Sequence, residues 1–201
     1  MAQDVFDNNI EPTPSKGKQV AQFIIEMVII VAIMLAVRYF VVKPFYVKGA
    51  SMEPNFYDHQ YLVIDEITYR VSTPQRGDVI VFKYPVDPKQ YFIKRVIGLP
   101  GEHIKIENSK VNIIDSSGKA SELPESYLPA GTVTDLPLRG YSDITLGQNE
   151  YFVLGDNRGE SLDSRIFGPV NKDFIVGRAW IRAWPLNQIT VFSTPKYLLA
   201  K

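Results

Sequence analysis

The apolar positions of this chain follow two different patterns. Between Val20 and Val42 they run almost without a break, as Ile, Val, Ala, Met, Leu and Phe interrupted only by Gln22, Glu26 and Arg38. After Phe45 they fall into short runs rich in Val, Ile, Phe, Tyr and Trp, at 61–67, 78–82, 91–97, 104–107, 110–114, 150–154, 175–183 and 189–192. Turn-forming residues separate these runs: Pro74, Arg76-Gly77-Asp78, Pro85, Pro100-Gly101, Asn108-Ser109 and Gly147. Runs of β-branched and aromatic residues bounded in this way read as strands. Nothing after residue 45 keeps a helical period for three turns. The pattern predicts a mostly β protein, an N-terminal transmembrane helix followed by an antiparallel β-sheet domain over 45–201. Residues 115–140, rich in Ser, Pro, Gly and Leu, read as an inserted loop or ribbon on its rim.

A helix over 20–42 has 23 residues, long enough at 1.5 Å per residue to cross a lipid bilayer. Glu26 and Arg38 bound its apolar core and would snorkel to the two interfaces, with Tyr39 and Phe40 at one border. A cleaved signal peptide is the alternative. The span is long for that role, and the nearest cluster of small residues, Gly49-Ala50-Ser51, lies too far downstream. The segment therefore reads as a retained single-pass anchor. Lys16 and Lys18 precede it while Arg38, Lys43 and Lys48 follow it, which does not fix its orientation. The first 19 residues, with Pro12, Pro14, Gly17 and scattered charge, read as a disordered tail.

Composition narrows the chemistry. The 22 basic and 22 acidic side chains cancel, so there is no cationic excess of the kind that nucleic-acid partners require. Cysteine is absent, which removes disulfides, thiolate nucleophiles and cysteine-built metal sites. His59 and His103 are the only imidazoles, too few for a histidine-built zinc site, and no metal or cofactor is expected.

As a strand, 91–97 places Lys94 on the face of Phe92 and Val96, and Arg95 on the face of Ile93 and Ile97. One of the two cations must then share an apolar face. Two roles fit Lys94: a side chain that snorkels from an edge strand, or a desolvated amine that gives up its proton and becomes a base. Upstream, Gly49-Ala50-Ser51-Met52-Glu53-Pro54 puts Ser51 on a turn, since Pro54 removes a donor and restricts Glu53. Ser51 is either a turn former or a nucleophile served by a lysine base. The polar run from Gly155 to Arg165 follows the apolar Tyr151-Phe152-Val153-Leu154. It either solvates a loop or supplies an Asp163–Arg165 pair and a Ser161 hydroxyl that orients a neighbouring amine.

Taken in order behind the anchor, these segments resemble the type I signal peptidases, or leader peptidases. The likeness runs from the anchor to about Ala183. It rests on Ser51-Met52-Glu53-Pro54, on 61–66, on Lys94-Arg95-Val96-Ile97-Gly98-Leu99-Pro100-Gly101, and on Gly155-Asp156-Asn157-Arg158 through Ser161, Asp163, Ser164 and Arg165. It implies a membrane-anchored serine endopeptidase that removes signal peptides from exported preproteins, cutting after a small residue. Ser51 would be the nucleophile and Lys94 the general base, with Ser161 hydrogen-bonded to Lys94. Asp163 and Arg165 would brace the site, with Gly155, Asp156 and Asn157 packed beside it. The resemblance also implies a cytoplasmic N-terminus and a catalytic domain on the trans side of the membrane. In one respect the chain departs from many relatives, which carry Ser or Thr two residues before the nucleophile, where its hydroxyl helps stabilise the oxyanion. Gly49 stands there instead, so the oxyanion hole would rest on the Ser51 backbone N–H, with Gly49 allowing close backbone approach.

Val47, Met52, Phe56, Phe92 and Ile93 flank the pair in sequence and are candidates for shallow substrate pockets, as well as for ordinary core. An extended signal peptide would bind by adding a strand. Two rival readings stay open: a non-catalytic anchored β domain with structural Ser51 and Lys94, and a serine–lysine autoprotease, against which the anchor and the lack of a DNA-binding region argue. A histidine-based hydrolase is disfavoured because the motifs contain no His.

Overall fold

A computed structural model describes residues 15–40, 43–115, 117–135, 137, 140–195 and 197. The chain divides into two units, 1–40 and 41–201. The first contains helix α1 (Lys16–Phe40), whose 25 residues make a rod of about 37 Å at 1.5 Å per residue. Its stretch Lys16–Leu35 is long and apolar enough to cross a membrane, and the side chains of 15–35 are exposed. Most of the expected tail lies outside the described residues. From Lys16 on the chain is helical, with Lys18 and Gln19 N–H both donating to Ser15 O, so 16–19 belong to α1. A long apolar helix propagates readily once started, and Gly17 does not stop it.

The second unit is built from antiparallel strands. The larger sheet contains β1 (Lys43–Tyr46), β2 (Tyr61–Asp65), β3 (Val79–Lys83), β4 (Tyr91–Gly98), β9 (Glu150–Leu154), β10 (Val170–Asn171), β11 (Ile175–Trp184) and β12 (Thr190–Val191). Its order is β1-β2-β11-β3-β4-β9-β10, with β12 beside β11. The smaller sheet has the order β7-β6-β5-β8, from β5 (His103–Glu107), β6 (Lys110–Ile114), β7 (Ala120–Glu122) and β8 (Asp143–Thr145). Pro44 cannot donate to a ladder, and β1 accordingly lies at the sheet edge. β2 stops at Asp65 because that carboxylate accepts from Ile67 N–H, Thr68 N–H and Thr68 Oγ1, turning the chain into the single helical turn α2 (Thr68–Val71).

β4 is the spine of the domain. Ile93 joins a core with Val47, Met52, Phe56, Leu62, Ile64, Val79 and Val81. Val96 joins Ile80, Phe82, Tyr151, Val153 and Val170. Ile97 joins the apolar face of the smaller sheet, including Ile104, Ile106 and Val111. Within 115–140, β7, Leu123 and Thr134 are integral parts, the last two buried. β1, β7, β8 and β10 span two to four residues each, too short to show alternation in the sequence.

Candidate active site

Lys94 sits in β4 opposite Ile80 of β3, on the face that also carries Phe92 and Phe82. It does not snorkel: the residue is only 4% exposed, and Nζ lies 5.4 Å from the centroid of the Phe92 ring. Nζ donates to Ser51 Oγ at 2.7 Å and to Ile93 O at 2.9 Å. Burial pulls the Lys94 ammonium down from 10.5 to about 8, while the carboxylates of Asp163 and Asp156 pull it back up. At pH 7 such an amine is neutral about a tenth of the time, against about one part in 3,000 for a lysine at 10.5. The geometry and the electrostatics both suit a base.

Arg95 is buried as well, so both cations lie inside the domain. The reason is a partner 61 positions away: Arg95 Nε and Nη2 donate to Asp156 Oδ1 and Oδ2 at 2.8 and 2.6 Å. Nη1 donates to Gly77 O at 2.9 Å, and the guanidinium lies 4.0 Å from the centroid of the Tyr127 ring. Asn55 Nδ2 adds a further bond to Asp156 Oδ2 at 2.9 Å. A buried charge pair is tolerated when its remaining hydrogen-bonding capacity is met in this way.

Ser51 is half-buried on the tight turn that follows β1. Glu53 N–H donates to Ala50 O at 3.1 Å, Phe56 N–H donates to Met52 O at 2.9 Å, and the Glu53–Pro54 peptide is cis. Gly49 has φ +89°, a backbone conformation that favours glycine. Its N–H donates to Asp58 Oδ1 at 3.0 Å, and this bond is the main cause holding the Asp58 carboxyl below its usual value. Nothing in the sequence around Asp58 marked it as a partner of this turn.

The polar run after β9 grips the serine turn from the other side. Asn157 N–H donates to Ser51 O at 3.1 Å and Asn157 Nδ2 to Ala50 O at 3.2 Å. At Gly155 the backbones approach so closely that a Cβ would lie 2.4 Å from Ser51 O and 2.2 Å from Ser161 Oγ. Asp163, fully buried, accepts from Gly155 N–H at 3.0 Å and from Arg165 Nε and Nη2 at 2.8 Å each. It also caps the single turn α3 (Ser164–Phe167) by accepting from Arg165 N–H. Arg158, missed as a site residue in its own right, donates to Gly155 O at 3.1 Å and pairs with Glu125 and Thr134 of the inserted segment. Ser161 Oγ is buried beside Gly155 and has no hydrogen-bond partner among the described residues, so the expected bond to Lys94 is not formed in this conformation.

A cleft of about 490 Å³ opens over Ser51 and Lys94, walled by Gly49, Ala50, Tyr91, Phe92, Ile93, Glu160 and Leu162 among others. Phe92 and Ile93 therefore line it. Val47, Met52 and Phe56 do not; each is 1% exposed within the core, because the turn that presents Ser51 directs its apolar neighbours inward. Among the described residues, no group of three or more His, Asp or Glu side chains is arranged to hold a metal ion.

The family model described as signal peptidase, peptidase S26, matches residues 20–184, most of the chain. The chain belongs to the signal peptidase family. A probable signal peptidase I-2 of Synechocystis is 36% identical over 169 residues, covering 81% of this chain and 72% of that protein. Signal peptidase IB of Staphylococcus aureus strain COL is 31% identical over 182 residues, covering 85% of this chain and 93% of that protein. A crystal structure of a signal peptidase I from Enterococcus faecalis is 32% identical and covers 54% of this chain and 97% of its own, with a TM-score of 0.43. As a member of the signal peptidase family, the chain is a serine endopeptidase.

Proposed function

We propose that this signal peptidase cleaves exported preproteins with Ser51 as nucleophile and Lys94 as general base, while anchored by α1 with its N-terminus cytoplasmic and its β domain on the trans side. The observation that carries the reading is the 2.7 Å contact between Lys94 Nζ and Ser51 Oγ, made by a buried amine whose pKa is drawn down to about 8. In the working state the amine is neutral and accepts the Ser51 O–H. Ser51 Oγ attacks the scissile carbonyl, Lys94 takes the proton, and the resulting ammonium returns it to the leaving amine. Water, deprotonated by the same amine, then hydrolyses the acyl-enzyme ester. Ser51 N–H is the proposed donor for the oxyanion, and Gly49, whose N–H is engaged by Asp58, contributes backbone shape.

Substrate enters as an extended strand. β4 pairs with β9 only from Arg95 onward, so the edge of 91–94 facing the cleft is free to take a peptide, among the described residues. The walls Phe92, Ile93 and Leu162 favour small apolar side chains at the cut. For the anchor, α1 exceeds the roughly 30 Å hydrocarbon core, and within the β domain Tyr46, Tyr61 and Trp184 form an exposed aromatic row on the neighbouring strands β1, β2 and β11.

The test is cleavage of a preprotein by detergent-solubilised wild type, Ser51→Ala and Lys94→Ala, with N-terminal sequencing of the product. Each variant should lose turnover, and Lys94→Arg should be equally inactive because guanidinium keeps its proton. The two losses should not add, since both residues serve one step. A Ser51→Ala protein that still processes the preprotein refutes the assignment.

A further inference from the structure

The family match ends at residue 184, yet the chain stays engaged with the domain beyond it. Phe192 N–H donates to Trp180 O at 2.8 Å, and its ring lies 4.5 Å from that of Phe56, in the core cluster that also holds Met52. Thr194 Oγ1 donates to Asp78 Oδ1, a buried carboxylate that also accepts from Tyr69 OH at 2.7 Å and Gln75 N–H at 2.9 Å. Pro195 and Tyr197 close over Gly77, where a Cβ would lie 2.6 Å from Tyr197 Cε2 and 2.9 Å from Pro195 Cδ. Tyr197 also packs against the core of the smaller sheet.

Several of these contacts converge on one short piece of backbone. Gly77 O accepts from Arg95 Nη1 at 2.9 Å, Gly77 N–H donates to Val96 O at 2.8 Å, and Asp78 O accepts from Val96 N–H at 2.8 Å. Arg95 holds Asp156 by two bonds, and the next residue, Asn157, holds the carbonyls of Ser51 and Ala50. A continuous set of hydrogen bonds and packed contacts thus joins Thr194 and Tyr197 to the nucleophile's turn. Phe192, Thr194 and Pro195 also help wall a cavity of about 410 Å³ that Arg95 lines. Arg95 is nonetheless only 6% exposed. Were this segment to lift away, water would reach the Arg95–Asp156 pair and weaken it, since an ion pair holds its geometry best in a low-dielectric surround.

We propose that the segment carrying Phe192, Thr194, Pro195 and Tyr197 is a strap that positions the active site: it fixes Gly77 and Asp78, keeps the Arg95–Asp156 pair dry, and so holds Asn157 against the turn that presents Ser51. Thr194 and Tyr197 are positioning residues and touch neither substrate nor reacting atoms. The proposal rests on reading Ser51 and Lys94 as the catalytic pair. A misplacement of about 1 Å at a reacting group can cost about 100-fold in rate, so a partial loosening has a measurable effect.

The test uses the full chain in detergent. Thr194→Val, Thr194→Ser and Tyr197→Ala are assayed for preprotein cleavage, with kcat expressed per folded molecule from unfolding curves taken in the same buffer. Thr194→Val should lose about tenfold in kcat and Tyr197→Ala more, with KM within about twofold of wild type because the cleft walls on β4 are untouched. Thr194→Ser, which keeps the hydroxyl, should restore the wild-type rate. Unchanged kcat per folded molecule in Thr194→Val and Tyr197→Ala, whatever happens to their melting temperatures, overturns the proposal. So does a raised KM at constant kcat, which would make the strap a substrate contact. If Tyr197→Ala does not fold, the Thr194 pair decides alone. Ser51→Ala is run alongside: if it cleaves normally, the catalytic reading fails, independently of what the strap variants show.

Discussion

Replacing Lys94 by Met tests whether this lysine is kept in its pocket at a cost to the fold. The pKa falls from 10.5 to about 8 because the side chain is buried, and at about 1.4 kcal/mol per tenfold this amounts to roughly 3 kcal/mol. The sign follows from linkage. The folded pKa lies below the unfolded one, so above pH 10.5 the amine is neutral in both states and carries no penalty. The penalty grows as pH falls from 10.5 to 8 and is complete below about 8. Met fills similar space without charge but forfeits the bonds to Ser51 Oγ and Ile93 O, each worth about 1 kcal/mol net. Lys94→Met should therefore be about 1 kcal/mol more stable than wild type at pH 7. Its advantage should vanish and reverse by about pH 10.5. Urea unfolding of the full chain in detergent, followed by fluorescence of Trp180 and Trp184 between pH 7 and 10.5, measures this. A Met variant clearly less stable at pH 7, or an offset that does not change with pH, would mean that Lys94 is charged and paired, and the general-base role would lose its physical basis. The companion result is a cleavage rate that rises with pH through an apparent pKa near 8.

Three further substitutions probe the serine turn. Gly49→Ser forces a side chain onto φ +89°, a strain of about 1–3 kcal/mol, so unfolding should become easier by that amount and kcat/KM should drop as the turn shifts; a rise in kcat/KM would show instead that a hydroxyl is wanted at the oxyanion. Gly155→Ala places a methyl 2.4 Å from the Ser51 carbonyl, so cleavage should fall by about 100-fold, and an unimpaired enzyme contradicts the close-approach argument. Ser161→Ala removes a buried hydroxyl that has no partner among the described residues, so thermal stability should hold or rise by up to about 1 kcal/mol. Its rate should fall, but less than that of Ser51→Ala; an equally complete loss would make Ser161 a primary catalyst.

The placement of Lys94 was legible because alternation along 91–97 is a local property, and the structure puts the side chain on the face of Phe92 and Val96 as that alternation requires. The partner of Arg95 was not. Asp156 reaches it only because β4 pairs with β9, setting Arg95 opposite Leu154, and which strands neighbour each other cannot be read from a periodicity. The same limit explains Val47, Met52 and Phe56: closeness to Ser51 along the chain suggested the cleft, but a turn that exposes one residue directs the adjoining apolar ones into the core. β1 was masked by Pro44, which reads as a strand breaker unless the strand is known to lie at an edge. The missing Ser161–Lys94 bond belongs to side-chain rotation, which no sequence pattern encodes.

The bond between Asn157 Nδ2 and Ala50 O joins residues 107 positions apart. A chain synthesised at about 5–20 residues per second therefore extends for roughly 5–20 s between the appearance of the Ser51 turn and that of the loop that secures it. Through that interval Ser51 has no Asn157 to hold its carbonyl, and Asp156 is not yet there to pair with Arg95. Contacts of such long sequence separation also form late, since closing a long loop costs entropy before any contact repays it. With Ser51 and Lys94 as the proposed pair, the turn and the loop that grips it come together only once β9 has docked on β4, so the site is assembled late in the making of the chain.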